Sequence, residues 1–512
     1  MFLITSAAYI TPGLASEFGK LPPCMLPVQN RRLYEHQVAI APKGEKIVLS
    51  LTQSYTLTAY DQNRLTNLGV QIVFAPDELS LGQSIVYILN VVGLYNERIS
   101  ILHGDTLFAS IPETTDICAV AEAEDNYDWA SVGKQNDVYA GYFSFSDQSL
   151  LIQKITECGY RFIEGVTEYG KTKTLTNTIL PNWMDFGLVN SYYRSISKMT
   201  TQRVFNSMKV TRYSVRKSSK DKRKMAAESN WMLSLPAPMK HYAPAVWDRG
   251  EDAETGYYEI EYYFLSSLAN LFVFGKNSPY VWEEIICACI DYLNDEMAYK
   301  PENASEIARQ NDSLYASKTI KRLKEYAEQT GISLDTPWTI NGKQVPSLNA
   351  IIADIDEHLS KNDTRFATMM HGDPCFSNIL YDFKSKSIKV IDPRGLDLDG
   401  NLSIYGDFRY DVGKLAHSIL GMYDFIIGGM FDYKETSAYD VQLHFEMTED
   451  LTEIQNYFKQ QKFGGYTLTE LSTYPVLIHL FLSMLPLHSD HPERQKAFLT
   501  NALRLYVEYK NL

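Results

Sequence analysis

The chain has 512 residues, 45% apolar and 21% charged. This is the balance of a globular protein, which excludes wholesale disorder, fibrous architecture and, at roughly 150 residues per domain, a single small core. Its net charge of −14 repels polyanions and argues against nucleic acid as a partner.

The basic run from Arg212 to Lys224 is local and broken by Asp221, and reads equally as a solvated helix face or a functional segment. No segment reaches the roughly 18 uncharged apolar residues of a membrane span, so no membrane insertion is expected. Cys24, Cys118, Cys158, Cys287, Cys289 and Cys375 are scattered without a C-x-x-C pair, and read as buried thiols in a reducing cytoplasm.

The N-terminal "MFLITSAAYI" lacks a basic n-region and is short, so it predicts a first buried strand rather than a signal peptide. Up to about residue 112, apolar runs ("KIVLSL", "GVQIVFA", "RISILHGD") alternate with helical stretches ("TLTAYDQNRLTNL", "LGQSIVYILNVVGLY"). That βαβ rhythm predicts a mostly parallel sheet. Residues 113–187 read as strand-rich, with "VYAGYFSFS" a strand by its aromatics and alternation. The expectation is an α/β domain over residues 1–203.

From Phe205 the character changes to a short strand ending "YSVRKSS", a charged helix "KDKRKMAAESNWMLSL" and a strand "YYEIEYYFL". Beyond about 280 the pattern is mostly helical, interrupted by the loop "HGDPCFSN" and the strand "KSIKVID". This predicts a second domain, 204–512, with a small sheet-bearing lobe over about 204–275 and a helical lobe over about 276–512.

Residues 4–37, "ITSAAYITPGLASEFGKLPPCMLPVQNRRLYEHQ", with the later "LGQSIVYILN", "ILHGDTLF" and "NWMDFG", resemble the sugar-nucleotide and phosphocholine-type nucleotidyltransferases. The resemblance implies a Rossmann-like fold, with Asp105 and Asp185 as metal ligands and Gly82 and Gln83 in the base-side segment. Two carboxylates so placed can hold a Mg²⁺ that neutralises the α-phosphate while an acceptor phosphate attacks. The family's G-x-G-x-R loop cradles the triphosphate with backbone N–H groups, but here the stretch reads "AAYITPG". The signature lysine falls on Pro23, and Lys20, three residues earlier, could substitute. An active transferase and a degenerate binding domain both stay open.

Residues 369–395, "MMHGDPCFSNILYDFKSKSIKVIDPRG", hold H-G-D-x-x-x-x-N followed by a strand ending near Asp392. Phosphoryl transfer needs mainly positioning and charge stabilisation. Asp373 would accept a hydrogen bond from a substrate hydroxyl, and Asn378 and Asp392 would supply hard oxygens to Mg²⁺ on the ATP phosphates. The plainer alternative is a hydrogen-bonded turn beside an ordinary strand. The segment strongly resembles the aminoglycoside phosphotransferase and choline kinase family, over roughly residues 205–512, and implies a two-lobed protein-kinase-like (α+β) fold.

Such a kinase needs a small-lobe lysine on the ATP phosphates and a helical carboxylate to hold it. Lys217 and Glu228 are the best pair; Lys209 competes, and Lys217 could be one more exposed lysine. "RVFNSMKVTRYS" has no glycine where the family has a glycine-rich phosphate loop. "EIEYYFL" (259–265) fits an interlobe hinge and a buried strand equally. By resemblance Asp411, in "GDFRYDVGKLAHS", braces the catalytic loop. His488, Asp490 and His491 fit an acceptor-pocket rim better than a zinc site, whose remaining ligands cannot be named. The 35 tyrosines are equally compatible with a cage for a cationic amino-alcohol, a sugar platform or core.

The fold class expected is therefore α/β: a Rossmann-like nucleotidyltransferase domain followed by a kinase-like domain. The expected function is bifunctional. ATP phosphorylates a small hydroxyl compound, a sugar or amino-alcohol, and CTP or another NTP then couples it to a nucleoside monophosphate. By analogy the NDP-linked product feeds a surface polysaccharide such as a capsule. The alternative is an ATP-dependent small-molecule kinase whose first domain is an inactive binding or regulatory module. A scaffold with neither activity is at odds with the intact "HGDPCFSN" and "IDPRG". The acceptor, the nucleotide and the oligomeric state are not legible.

Overall fold

A strand covered on both faces requires a continuous apolar run, and "FLITS" forms one: β1 (Phe2–Ser6), buried throughout. This computed structural model describes residues 1–93, 97–123, 130–132, 137–199 and 206–512. In it β1 is an interior strand of a seven-stranded sheet. Its partners are β2 (Ile47–Thr52), β3 (Val70–Ala75), β4 (Ile99–His103), β5 (Ile117–Glu122), β6 (Asp137–Phe145) and β7 (Thr176–Ile179), in the order β7-β5-β6-β4-β1-β2-β3. Phe2 stands opposite Ile47 on one side and Ser100 on the other, both in parallel register. Only β6 runs antiparallel to its neighbours.

Five helices of this unit position the site: α1 (Pro12–Phe18), α2 (Leu33–Ala39), α3 (Leu81–Val92), α4 (Gln148–Glu157) and α5 (Phe162–Thr172). The strand-rich reading of 113–187 is corrected by α4 and α5. Leu151 and Ile155, then Phe162, Val166 and Tyr169, recur at helical spacing and pack into one core with Leu3, Ile101 and Phe143 of the sheet.

The first unit comprises Met1–Met199 with Phe274–Lys276, the second Thr200–Val273 with Asn277–Leu512. The boundary expected at 203/204 lies outside the described residues. In the second unit, β8 (Asn206–Val210), β9 (Ser214–Ser219), β10 (Val246–Glu251) and β11 (Gly256–Glu261) form an antiparallel sheet in the order β8-β9-β11-β10. Helix α6 (Lys222–Ser234) follows β9, capped by Asp221, whose side chain accepts from Lys224 N at 3.0 Å.

The strand expected through Leu265 stops at Glu261. Tyr262–Leu265 run as irregular chain into β12 (Ser266–Ser267), which pairs with β13 (Ile379–Asp382), itself paired with β14 (Ser387–Val390). The helical lobe holds α7 (Pro279–Met297), α8 (Ala316–Thr330), α9 (Phe408–Ile419), α10 (Thr473–Met484) and α11 (Pro492–Tyr509). It also carries a four-stranded sheet that the sequence pattern does not predict, built from Lys343–Val345, Trp338–Ile340, Asp440–His444 and Asp432–Ser437. Two of its strands have three residues each, too short to show a period.

Among the described residues no helix is long and apolar enough to cross a membrane. The buried-thiol reading fails at Cys158, which is half-buried, and at Cys287, which is exposed, whereas Cys289 is buried. Cys287 and Cys289 both lie on α7, and two residues along a helix turn roughly 200°, so one faces out when the other faces in.

Candidate functional site

The second unit brings the predicted kinase residues together. Lys217 sits within β9, opposite Met208 of β8 and Tyr258 of β11. Its side chain is buried, with Nζ 2.8 Å from Glu228 Oε2 and 2.9 Å from Asp392 Oδ1. The Tyr258 hydroxyl donates to Glu228 at 2.7 Å and to Asp392 at 3.4 Å. Burial opposes the charge on Lys217, but Asp392 and Glu228 outweigh it and hold the ammonium above its usual range. Burial pushes Glu228 up despite the pull of Lys217. Lys209 is exposed on β8 and Lys217 is not; in the run from Arg212 to Lys224, Arg212, Arg216, Lys220, Arg223 and Lys224 are exposed, so it is a largely solvated surface in which Lys217 is buried.

The segment that carries His371 and Asp373 is fastened to α9. Asp411 on α9 accepts from the backbone N–H of His371 at 2.6 Å and of Gly372 at 2.9 Å. His371 is fully buried, and its Nδ1 accepts from Asp373 N at 3.2 Å, which assigns the ring proton to Nε2. Burial lowers this imidazole to about 4, so it is neutral. Gly372 adopts φ +84°, and a Cβ there would meet Arg394 Cβ at 2.6 Å, so only glycine fits.

Asp373 faces Lys414, with Nζ 2.8 Å from Oδ1. Burial works against the Asp373 charge, but Lys414 outweighs it and holds the carboxyl at about 2. Asn378 donates through Nδ2 to Asp373 O at 3.0 Å, so its Oδ1 is turned away from that bond. Asp392 lies in the left-handed region at φ +58°, an uncommon conformation for a non-glycine residue and one that marks functional sites. Its neighbours hold it there: Ile391 N donates to Asn378 O at 3.0 Å and Arg394 N to His371 O at 2.8 Å. The Asn378 and Asp392 side-chain oxygens are of a kind that could hold a Mg²⁺.

No glycine is needed in the β8–β9 turn, because Thr211 Oγ1 accepts from the N–H groups of Tyr213 and Ser214 at 3.2 and 3.0 Å. Near the chain end, His488 packs edge-on against Phe498, and His491 pairs with Asp490 at 3.4 Å. Pro486 and Leu487, just before His488, line a cavity of about 530 Å³ with Lys318, Lys321, Arg322 and Glu325 of α8.

In the first unit, Asp105 follows β4 and Asp185 lies in the short strand Met184–Asp185, paired antiparallel with Thr106–Leu107. Phe186 N donates to Asp105 O at 2.8 Å. Both carboxylates converge on Gly187, where a Cβ would lie 2.7 Å from Asp105 Oδ2 and 3.4 Å from Asp185 Oδ1. Among the described residues Asp185 Oδ2 is buried with no hydrogen-bond partner. Burial and the Asp105 charge push this carboxyl up to about 7. Two opposed carboxylates with an orphaned oxygen fit a divalent cation.

The remaining predicted residues of this unit are engaged elsewhere. Lys20 is exposed, its Nζ 4.2 Å from the centre of the Tyr9 ring. Gln83 forms a capping box with Ser80 at the start of α3, and Gly82 packs so tightly that a Cβ would meet Tyr160 O at 2.1 Å. No hydrogen bond among the described residues links these three to the two carboxylates.

The N-terminal region is similar in fold to a Bacillus anthracis protein described as a glucose-1-phosphate thymidylyltransferase, solved with sucrose: 15% identity, 40% of this chain and 96% of that one, TM-score 0.32. The chain is also similar to an aminoglycoside phosphotransferase bound to AMP-PNP and hygromycin B, at 12% identity over 60% of this chain and 91% of that one, TM-score 0.36. A third such structure, described as an aminoglycoside phosphotransferase from Ralstonia eutropha, is 10% identical over 62% of this chain and 97% of that one, TM-score 0.36. No family model and no curated protein matches the chain. The chain itself holds an α/β unit built on a mostly parallel sheet and a second unit that joins an antiparallel sheet to a helical lobe.

Several residues at these two sites carry no signal in the sequence. Lys414 and Arg394 flank Asp373, and Tyr258 completes the Lys217 cluster. In the first unit, Gln37 of α2 donates to the carbonyls of His103, Gly104 and Thr106 at 2.9–3.1 Å, and so fastens the loop that carries Asp105. A glutamine in "YEHQ", before an apolar run, gives no hint of that role.

Proposed function

We propose that the chain is a bifunctional kinase and nucleotidyltransferase. Its second unit phosphorylates a small hydroxyl compound with ATP, and its first couples the phosphomonoester to a nucleoside monophosphate from CTP or another NTP. The product is an activated precursor for surface polysaccharide, made in the cytoplasm. The observation that supports the kinase half is the convergence of Lys217, Glu228, Tyr258 and Asp392 beside a loop that carries Asp373.

Asp373 orients the acceptor hydroxyl, and Lys217, held by Glu228, binds the ATP phosphates. Asn378 and Asp392 would hold Mg²⁺, which when bound neutralises the phosphate oxygens. In the first unit Asp105 and Asp185 would hold a second Mg²⁺, with Gly82, Gln83 and Lys20 on the nucleotide side. Glu228→Gln is expected to raise KM for ATP about 10- to 100-fold, the loss of one hydrogen bond between charged groups of about 1.5–3 kcal/mol. Steady-state kinetics at varied ATP checks this.

A second reading, a kinase with an inactive first unit, is favoured by Pro12 at the first turn of α1, which lacks an N–H for a phosphate, and by Lys20 resting on Tyr9. Phosphorus NMR with Mg²⁺, ATP, CTP, UTP and a panel of polyols, sugars and amino-alcohols separates the two. A phosphomonoester followed by a diphosphodiester and pyrophosphate supports both activities. A phosphomonoester that accumulates supports the second reading.

A further inference from the structure

The surroundings of Asp373 bear on the identity of the acceptor, an inference that rests on the kinase reading of the second unit. Tyr410 and Lys414 lie one turn apart on α9, and Lys414 pairs with Asp373. The Arg394 guanidinium lies 4.5 Å from the centre of the Tyr410 ring and donates to Gly372 O at 3.0 Å, next to Asp373. Lys318 Nζ lies 5.7 Å from the same ring. Lys318 also lines the cavity of about 530 Å³, beside Lys321 and Arg322, where Glu325 is the one acidic side chain among the lining residues. The buried Tyr410 ring thus lies between Lys318, which lines the basic cavity, and Arg394 and Lys414, which flank Asp373.

The Tyr410 phenol reports the local field. Burial opposes its ionisation, yet Arg394, Lys318 and Lys414 outweigh both burial and the charge of Asp373, and bring it down to about 8. A cationic amino-alcohol in this place would meet cations of like sign at short range, and a neutral polyol would leave them uncompensated.

We propose that the acceptor carries an oxyanion, a phosphate ester or a carboxylate, which sits in the cavity against Lys318, Lys321 and Arg322 while its hydroxyl reaches Asp373. In the transfer the acceptor oxygen forms the new bond to the γ-phosphorus of ATP. The bond from that phosphorus to the β,γ-bridging oxygen breaks, and its electron pair leaves on ADP. The hydroxyl proton passes by way of Asp373 to solvent. Lys318, Lys321 and Arg322 are positioning and specificity residues, remote from the reacting atoms.

The test uses the full chain with ATP and Mg²⁺ and acceptors in matched sets: a sugar against its phosphate ester, and an amino-alcohol against the corresponding hydroxy acid. The anionic members are expected to be phosphorylated with kcat/KM at least about tenfold above their neutral or cationic partners. Preference for the sugar phosphate identifies a phosphate group, and preference for the hydroxy acid a carboxylate. Lys321→Glu, an exposed position, and Lys318→Met are expected to raise acceptor KM about tenfold or more, with the loss falling on KM rather than kcat. Acceptor KM is also expected to climb above pH about 8, as tyrosinate forms beside the bound anion, and Tyr410→Phe removes that rise.

Neutral or cationic acceptors turned over as well as anionic ones, with KM indifferent to both substitutions, overturn the proposal and leave the kinase reading standing. Absence of any ATP turnover that depends on Asp373 overturns the kinase reading itself, and this proposal with it.

Discussion

Asp373→Asn is expected to lower kcat for phosphoryl transfer by about 10²–10⁴-fold, the range over which a positioned acid–base group contributes, with KM for ATP nearly unchanged. Asparagine keeps the volume of the side chain but neither its charge nor its capacity to take a proton from the acceptor hydroxyl. The ATP-side cluster of Lys217, Glu228 and Asp392 makes no hydrogen bond to the Asp373 side chain among those described, which is why the loss falls on kcat. An unchanged melting temperature and steady-state kinetics together check the assignment, and unaltered kcat would sink it.

The pH dependence is set by Lys414. With its carboxyl held at about 2, Asp373 is ionised at every workable pH, so in the native protein it sets no acidic limb of the rate profile. It acts chiefly by orienting the hydroxyl. Lys414→Met leaves burial to act on Asp373 unopposed by its nearest cation, and its carboxyl then moves upward. Activity of that variant is expected to fall as pH drops through the raised value, a limb the native profile lacks.

How far these sites are legible in the sequence differs from residue to residue. The Lys217–Glu228 contact is legible, because a strand that leads directly into a capped helix puts its lysine beside the first turns of that helix. The catalytic-loop motif is legible because Asp373 and Asn378 lie within one short loop. Arg394 and Lys318 are not, since they come from elements separate from α9 and only packing brings them to Tyr410; Lys414, one turn from Tyr410 on α9, meets Asp373 only through packing. In the first half, "HGD" and "WMDFG" locate two carboxylates. That they converge on Gly187 depends on a two-residue strand pairing, Asp185 against Thr106, which no periodicity reveals. Helices α4 and α5 hide in a segment of aromatic alternation because the strand β6 precedes them and dominates the pattern.

Asp185→Asn is the other substitution with a large expected effect, and it moves activity and stability in opposite directions. Nucleotidyl transfer is expected to fall by about 10²–10⁴-fold, the several kcal/mol of charge stabilisation a held cation supplies, while phosphorylation by the second unit continues. The Asp185 carboxyl stands at about 7 in the fold against an ordinary 3.8, so folding between those values takes up a proton. Above about pH 7 the folded protein must instead hold a buried carboxylate beside Asp105, which opposes stability. The amide removes that opposition, and the metal-free variant is expected to melt higher than the native protein at pH 8. Added Mg²⁺ should then raise the melting temperature of the native protein more than that of the variant, which keeps only the Asn378 and Asp392 oxygens. A variant that melts lower without metal would mean that the two carboxylates do not oppose each other. A native protein that responds to Mg²⁺ no more than the variant would mean that Asp105 and Asp185 hold no metal ion.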